Sequence, residues 1–311
     1  MYEEFYGLKE KPFSLTPDPE FLFLSTKHKH ALTLLEYGLE NQAGFTVITG
    51  HIGSGKTTLA RKLLQEMQQD VTVGLVSNSQ CESFEELMQW ILFAFGLDFG
   101  NKSKVELYQV FSDFLISEYA KKKRTVLIID EAQHLGEAML EELRMLSNIN
   151  ADKHQVLQLI LIGQPELWEL LHNPRLEQFV QRIAVDYHLE PLDQDEVREY
   201  IQHRLMVAGG APDIFDEEVY EVIWRHTNGV PRLINLICDT ALVYGFGDQK
   251  KHIDEELVRD VIRDKRRSVA PLKNKNVVLH GHKKFMNQDN EGDGAKKKKR
   301  RRSTIEKWND L

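Results

Sequence analysis

The chain has 311 residues, 41% of them hydrophobic, and a formal net charge of −8. This length suffices for a sizeable core and for two domains. No stretch approaches the roughly 18 consecutive apolar residues of a membrane-spanning helix, and the first residues lack the basic region of a secretory signal. The two cysteines, Cys81 and Cys238, stand in no metal-ligand spacing. We therefore expect a reduced, cytoplasmic protein.

The sequence GHIGSGKT at residues 50–57 has the spacing G-x-x-x-x-G-K-T of a phosphate-binding loop. It lies between an apolar run, 45–49, and a helix-forming stretch, 59–67. A chance match of the spacing alone is the alternative, and this strand-loop-helix context argues against it. Backbone N–H groups at the start of a helix bind phosphate oxygens, and glycine enters positive φ without steric cost. The predicted nucleotide-binding residues are Gly50, Gly53, Ser54, Gly55, Lys56, Thr57 and Thr58.

Two of these residues have specific predicted roles toward ATP. Lys56 would reach the β and γ oxygens as a point charge, and the Thr57 hydroxyl would ligate Mg²⁺.

A second apolar run, TVLII at 125–129, ends in Asp130 and Glu131. Asp130 is placed to hold Mg²⁺ through water, and Glu131 to polarise the water that attacks the γ-phosphate. A solvated acidic strand end is the alternative, but with a phosphate loop upstream the two carboxylates predict hydrolysis.

Strand and helix signals alternate as far as residue 191 and give way to helices alone after it. Strands are predicted at 45–49, 72–76, 125–129, 156–162 and 183–189. Helices are predicted at 59–67, 84–95, 105–122, 137–149, 167–172 and 174–179, and later at 196–208, 217–226, 231–245 and 254–265. Five strands with helices between them predict an α/β fold, a three-layer parallel-sheet P-loop NTPase core. The expected domains are a nucleotide-binding domain at 1–191 and a small helical lid at 192–267.

The end of the chain is basic, whereas the body is acidic. Residues 265–311 contain 15 Lys and Arg against 5 Asp and Glu, a net charge of +10, which leaves −18 for the rest. Composition predicts a disordered tail at 268–311, because few aliphatic residues are available to form a core. The basic run at 296–302 suits contact with nucleic acid or anionic lipid; a solvated end without a partner is the alternative.

Several segments together resemble the AAA+ ATPase module: the loop GHIGSGKTT, the strand VLIIDEAQ, the segment LILIGQPEL and the lid segment GVPRLIN. With the opening residues 5–22 (FYGL, KPF and PDPEFL), they are more narrowly similar to the bacterial secretion ATPases of the general secretion pathway protein A (ExeA-like) group. The similarity covers about residues 1–265, and 1–25 corresponds to that group's amino-terminal segment. Better-known members continue into a transmembrane helix and a peptidoglycan-binding region, so direct action on the cell wall is not expected here.

The resemblance implies three further site residues. Gln164, after the fourth strand, corresponds to a polar residue that orients the attacking water. Arg182 resembles an arginine finger donated to the nucleotide of a neighbouring subunit, with Arg175 as its competitor. Arg232 in GVPR resembles the lid arginine that senses nucleotide. A plain loop glutamine, a surface salt bridge and a helix-capping arginine are the respective alternatives.

The resemblance also implies a function and its partners. The expected activity is Mg²⁺-dependent ATP hydrolysis by a homo-oligomer that supports assembly of a secretion, pilus or envelope-export system. The alternative is a DNA-associated AAA+ ATPase of the transposition-regulator type, and a third hypothesis is a nucleotide-gated scaffold with negligible turnover. Expected partners are envelope or secretion and pilus assembly proteins, with anionic lipid or nucleic acid contacted through the tail. The expected location is the cytoplasm or the inner face of the cytoplasmic membrane.

The amino-terminal aromatic residues form a separate expectation. Phe5, Tyr6 and Phe13 are expected to pack as a hydrophobic staple against the sheet. A position near the adenine ring is the alternative.

Overall fold

A five-stranded parallel sheet forms the centre of the structure. The computed structural model describes residues 1–66, 70–77, 79–151 and 154–267. In chain order the strands are β1 (Phe45–Gly50), β2 (Val71–Val76), β3 (Arg124–Ile129), β4 (Asn150–Ala151), β5 (His154–Gln155), β6 (Leu157–Gly163) and β7 (Ile183–Leu189). The sheet order is β2-β3-β6-β1-β7, and β4 and β5 form a separate antiparallel hairpin. The five predicted strands and the parallel α/β fold are confirmed, whereas the predicted tail, 268–311, lies outside the described residues.

Helices cover both faces of this sheet. They are α2 (Thr26–Glu40), α3 (Lys56–Glu66), α4 (Phe84–Ala94), α5 (Lys104–Ala120), α6 (Gly136–Leu146), α7 (Pro165–Leu171) and α8 (Glu177–Val180), and a short helix, α1 (Glu3–Tyr6), precedes them in the chain. Val47 and Leu127 pack in one apolar core with α4 to α7, whereas Ile48 and Ile128 pack in another with α2 and α3. Because successive strand residues point to opposite faces, the apolar runs are buried on both sides.

The helix α2 was not predicted, although it spans 15 residues. It begins after Ser25, whose side chain accepts a hydrogen bond from the backbone N–H of His28. Its buried face contains Ala31 and Leu35, but also His28 and Gly38. Since a polar and a small residue occupy two of these buried positions, the apolar periodicity that would indicate a helix is weak.

Four helices follow the sheet: α9 (Gln194–Val207), α10 (Glu217–Thr227), α11 (Pro231–Gly247) and α12 (Glu255–Arg267). They agree with the predicted helices and share an apolar core of their own. A capping box of Asp193 and Glu196 starts α9. The predicted domain boundary near Pro191 stays a prediction, because the described residues all belong to one unit, Met1–Pro271. Among the described helices, none is long and apolar enough to cross a lipid bilayer.

The amino-terminal aromatic residues pack on these four helices and not on the sheet. Tyr6 and Phe13 are buried in the core of α9 to α12, and Phe5 packs against its edge. The Phe13 ring meets Phe215 edge-on with ring centroids 6.0 Å apart. The Tyr6 hydroxyl donates to the backbone carbonyl of Lys250 at 3.0 Å. The expected packing against the sheet is therefore wrong. Other helices already cover both faces of the sheet, and the amino-terminal residues complete the apolar core of α9 to α12.

Replacing Phe13 with Ala should lower the free energy of unfolding by about 3–5 kcal/mol, because removal of a fully buried ring leaves a cavity. The matched control is Leu15→Ala, in the same segment, where the side chain is 48% exposed. That change should alter the free energy of unfolding by less than about 0.5 kcal/mol. Chemical denaturation followed by circular dichroism measures both values. Equal losses in the two variants would contradict this packing.

Candidate nucleotide-binding site

The phosphate loop lies between the end of β1 and the start of α3. The structure brings the predicted residues together in this turn: Gly50, Gly53, Ser54, Gly55, Lys56, Thr57 and Thr58. Gly53 and Gly55 have φ angles of +78° and +100°, which other residues adopt only under strain. A Cβ atom at Gly50 would lie 2.6 Å from the carbonyl oxygen of Leu189. The loop therefore closes tightly over the first turn of a helix, where free N–H groups bind anions.

One polar atom of this loop has no partner among the described residues. Ser54 is 1% exposed, and its Oγ atom makes no hydrogen bond there. A buried polar atom without a partner costs about 1–3 kcal/mol. Because a phosphate oxygen in the loop would accept a hydrogen bond from this hydroxyl, the residues present fit the phosphates of a nucleotide.

The Lys56 ammonium lies inside the loop and is largely buried. Its Nζ atom donates to the carbonyl oxygens of Gly50 at 2.8 Å and His51 at 3.0 Å. Burial lowers the pKa of Lys56, and the negative charges of Glu131 and Asp130 offset part of that shift. The ammonium is thus held by weak neutral acceptors that phosphate oxygens can replace with stronger, charged ones.

The two predicted Mg²⁺ ligands touch each other. Thr57 Oγ1 donates to Asp130 Oδ2 at 2.7 Å, and Asp130 Oδ1 accepts from the backbone N–H of Glu131 at 2.9 Å. A hydroxyl and a carboxylate are oxygen ligands of the kind that Mg²⁺ prefers. Within the described ranges no cluster of three His, Cys, Asp or Glu side chains forms a metal site. A Mg²⁺ ion at this pair would therefore take its other ligands from phosphate and water.

Glu131, the predicted base, has an unusual backbone and two side-chain partners. Its φ of +54° lies in the left-handed region, which is rare for a residue other than glycine. Its carboxylate accepts hydrogen bonds from Gln164 Nε2 at 2.8 Å and Gln133 Nε2 at 2.7 Å. Burial raises the pKa of Glu131, but the two amide hydrogen bonds and the nearby positive charge of Lys56 together lower it by more, and the net shift is downward. The carboxylate is therefore ionised at neutral pH.

Three residues at the site were not singled out from the sequence. Gln133 holds Glu131 and also accepts, through Oε1, from the backbone N–H of Gln164 at 3.0 Å. Ser79 donates its hydroxyl to the Glu131 carbonyl at 2.7 Å. His28 contacts the phosphate loop through Nε2, 3.1 Å from the Ser54 carbonyl. Only Gln133 had a local signal, as the last residue of DEAQ, since the other two contacts join distant segments.

The helices that follow the sheet reach the phosphate loop through the first turn of α11. The Arg232 backbone N–H donates to the Gly53 carbonyl at 3.2 Å. A Cβ atom at Gly53 would lie 2.4 Å from Arg232 Cβ. A cavity of about 190 Å³ lies between the loop, residues 14–23 and α11, and Arg232 lines it. The residues Phe5, Tyr6 and Phe13 do not line this cavity, so the alternative position near adenine is not supported.

The two candidate arginine fingers do not reach this cavity. Arg182 precedes Ile183, which pairs with Phe45 at the start of β1, whereas the phosphate loop follows the end of β1. Five residues of strand separate these ends by roughly 17 Å. Arg182 Nη1 donates to Ser147 Oγ at 3.0 Å, and Arg175 forms an ion pair with Glu137 at 3.5 Å.

Comparisons with known proteins agree with this geometry. Residues 39–171 match a family model described as an AAA domain. Over 247 residues, 79% of this chain, the sequence is 41% identical to general secretion pathway protein A of Aeromonas hydrophila. The alignment covers 45% of that protein, so the chain spans less than half of its relative's length.

Solved structures share the fold at low sequence identity. Cdc6p from Pyrobaculum aerophilum superposes with a TM-score of 0.64 at 18% identity, covering 81% of this chain and 70% of that one. ORC2 from Aeropyrum pernix has a TM-score of 0.62 at 17% identity, covering 82% of this chain and 72% of that one. The chain therefore contains an AAA domain at residues 39–171, and over 79% of its length it is similar to general secretion pathway protein A.

Proposed function

We propose that this protein hydrolyses ATP with Mg²⁺ at the interfaces of a homo-oligomer. The observation that carries the proposal is the meeting of three groups at one edge of the sheet. These groups are the phosphate loop, the Thr57–Asp130 pair and the Glu131 carboxylate with its two amide donors. A strand-end carboxylate without function would need neither the left-handed backbone nor the two hydrogen bonds that aim it.

Binding of the phosphates is assigned to the loop and its ammonium. Lys56 would exchange the carbonyls of Gly50 and His51 for β and γ oxygens, and the N–H groups of α3 would surround the phosphates. Thr57 and Asp130 would hold Mg²⁺, which neutralises phosphate charge when bound.

Hydrolysis is assigned to Glu131. Its carboxylate accepts a proton from water as the water oxygen attacks the γ-phosphorus, the bond to the β–γ bridging oxygen breaks, and ADP and phosphate leave. In the structure Gln164 and Gln133 both donate to this carboxylate. We therefore propose that Gln164 orients the base directly, and not the water alone. Arg232, which lines the cavity, is proposed to contact the phosphates from the lid.

The oligomer is proposed because Arg182 lies at the wrong end of β1 for its own loop. A guanidinium there would reach only the nucleotide of a neighbouring subunit. Two large apolar side chains flank it in sequence and structure: Val180, two residues before it, and Met145, two residues before its partner Ser147. They are 39% and 56% exposed, respectively. A second copy packed on this face would bury them and carry Arg182 into the neighbouring site.

The cellular role is proposed from the relative and from the tail. Similarity to general secretion pathway protein A favours assembly of a secretion, pilus or envelope-export system. The basic run 296–302 favours peripheral contact with an anionic membrane surface. The same charges also suit a nucleic acid backbone, which is the DNA-associated alternative.

Replacing Glu131 with Gln should leave ATP affinity nearly unchanged and lower kcat by about 10²–10⁴-fold, because the amide cannot accept the proton. Replacing Lys56 with Ala should instead abolish ATP binding. Glu169→Gln, an exposed carboxylate on α7, is the matched control and should keep the parental rate. Calorimetry and steady-state phosphate release separate binding from turnover. Parental turnover in Glu131→Gln would refute the assignment of the base.

Arg182→Ala should retain ATP binding but lose turnover, and mixing it with Glu131→Gln should restore part of the rate. A mixed interface can pair an intact base with an intact finger, which neither variant has alone. Arg175→Ala is the control and should hydrolyse ATP at the parental rate. Phosphate release is measured in mixtures whose co-assembly is verified by analytical ultracentrifugation. Absence of recovery in mixed oligomers would contradict action across the interface.

Deleting residues 273–311 should leave ATP hydrolysis within about twofold of the parental rate and abolish sedimentation with anionic vesicles. Each basic residue near an anionic surface contributes about 1 kcal/mol, and salt shortens that attraction to about 8 Å at physiological ionic strength. Full-length and truncated chains are compared across a salt series with vesicles and with duplex DNA. DNA binding that survives truncation would favour the DNA-associated alternative. If the full-length chain bound neither the vesicles nor the DNA, the basic run would have no polyanionic partner and would be a solvated end.

A further inference from the structure

A buried histidine lies directly beneath the phosphate loop and has no part in the chemistry proposed above. His28 is 3% exposed and belongs to the first turn of α2. Its Nδ1 atom is 2.9 Å from Ser25 Oγ, and its Nε2 atom is 3.1 Å from the Ser54 carbonyl. A carbonyl only accepts, so Nε2 carries the proton and donates it. Burial lowers the pKa of His28, which keeps the ring neutral and leaves Nδ1 to accept from the Ser25 hydroxyl.

This hydrogen bond sets the direction of a loop amide. In a planar trans peptide the carbonyl of Ser54 and the N–H of Gly55 point in opposite directions. A Cβ atom at Gly55 would lie 3.0 Å from His28 Nε2, so the ring packs against this very peptide. Holding the Ser54 carbonyl down on the imidazole therefore aims the Gly55 N–H up, toward the phosphates.

The preceding residue contacts the connection between the sheet and the lid. Lys27 Nζ donates to the Pro191 carbonyl at 2.8 Å and to Glu196 Oε2 at 3.0 Å. Pro191 follows β7, and Glu196 lies in the first turn of α9. Two consecutive residues of α2 thus hold the phosphate loop on one side and the sheet-lid connection on the other.

We infer that His28 is a positioning residue of the phosphate loop and that Lys27, beside it, couples the loop to the sheet-lid connection. The inference rests on the proposed ATP site and deepens it. His28 acts on nucleotide binding, because it aims a phosphate-binding amide. Lys27 transmits a change in the conformation of the phosphate loop to α9, because His28 and Lys27 lie on one rigid turn of α2.

The first test compares His28→Leu with His28→Gln. Leucine leaves the Ser54 carbonyl without a donor, whereas glutamine supplies an amide N–H of similar reach. The Kd for ATP should rise about tenfold in the leucine variant and stay within about threefold in the glutamine variant, with kcat at saturation changed less than the Kd in both. Leu35→Ala is the matched control, because it removes a buried side chain of α2 that packs on the sheet, away from the loop. It should lower Tm without changing the Kd.

Hydrogen exchange of the loop amides, measured in the full-length protein without nucleotide, gives a second readout. Exchange at residues 53–57 should accelerate in His28→Leu and remain parental in Leu35→Ala and His28→Gln. Equal ATP affinity and equal exchange in parental and leucine variants would overturn the positioning role. If the parental protein fails to bind ATP, the proposed function fails, and the exchange data still decide whether His28 positions the loop.

The coupling is tested with Lys27→Met, which keeps the apolar stem and removes the donor. In the parental protein ATP should slow exchange of the amides of residues 192–197, and Lys27→Met should lose at least half of that protection. Its Kd for ATP should remain within about threefold, because His28 still holds the loop. Lys29→Met, an exposed lysine of the same helix, should behave like the parental protein. Full protection in Lys27→Met would overturn the coupling.

Discussion

Parallel pairing of all five strands is the constraint on which the candidate site depends. Strand β6 pairs with β1 on one side and with β3 on the other, so Thr49 lies beside Gly163 and Ile129 beside Leu161. The residues that follow these strands therefore meet at one edge of the sheet. An antiparallel neighbour would have sent one of these groups to the opposite edge. The apolar cores on the two faces of the sheet hold the strands in this register. Side chains far from the phosphate loop therefore help to set the geometry of the loop.

The same edge concentrates strain and buried polar groups that the surrounding structure supports. Glu131 holds a left-handed backbone at a cost of about 1–3 kcal/mol, and Ser79 fixes its carbonyl while two amides fix its carboxylate. Lys56 is buried with only carbonyl partners, and Ser54 Oγ has no partner among the described residues. A phosphate bound in the loop would supply a partner for Ser54 Oγ and charged acceptors for the Lys56 ammonium. The loop therefore presents polar groups that suit an anion, because these two groups have weak partners or none among the described residues.

The amino-terminal segment and α2 connect this edge to the helical lid. Arg204 of α9 is buried and donates to the carbonyl oxygens of Pro12 and Ser14, and Asn235 of α11 also donates to Ser14. Residues 14–23 also form one wall of the cavity, so these contacts join that wall to α9 and α11. On the other side, Lys27 of α2 contacts the Pro191 carbonyl and Glu196 of α9. The cavity wall is therefore joined to α9 and α11 through several polar contacts to backbone carbonyls.

The sequence by itself determined the phosphate loop, the Asp130–Glu131 pair, the five strands and the four helices that follow the sheet. Each is a local pattern, because phosphate chemistry requires fixed residue types within one strand-turn-helix, and burial on both faces requires continuous apolar runs. Only the tertiary structure decided where Phe13 packs, that α2 exists, and that Ser79 and His28 contact the site. Those outcomes depend on contacts between segments far apart in the chain, such as Phe13 with Phe215 or His28 with Ser54. The spacing of residues within one segment does not indicate which distant segments it will contact.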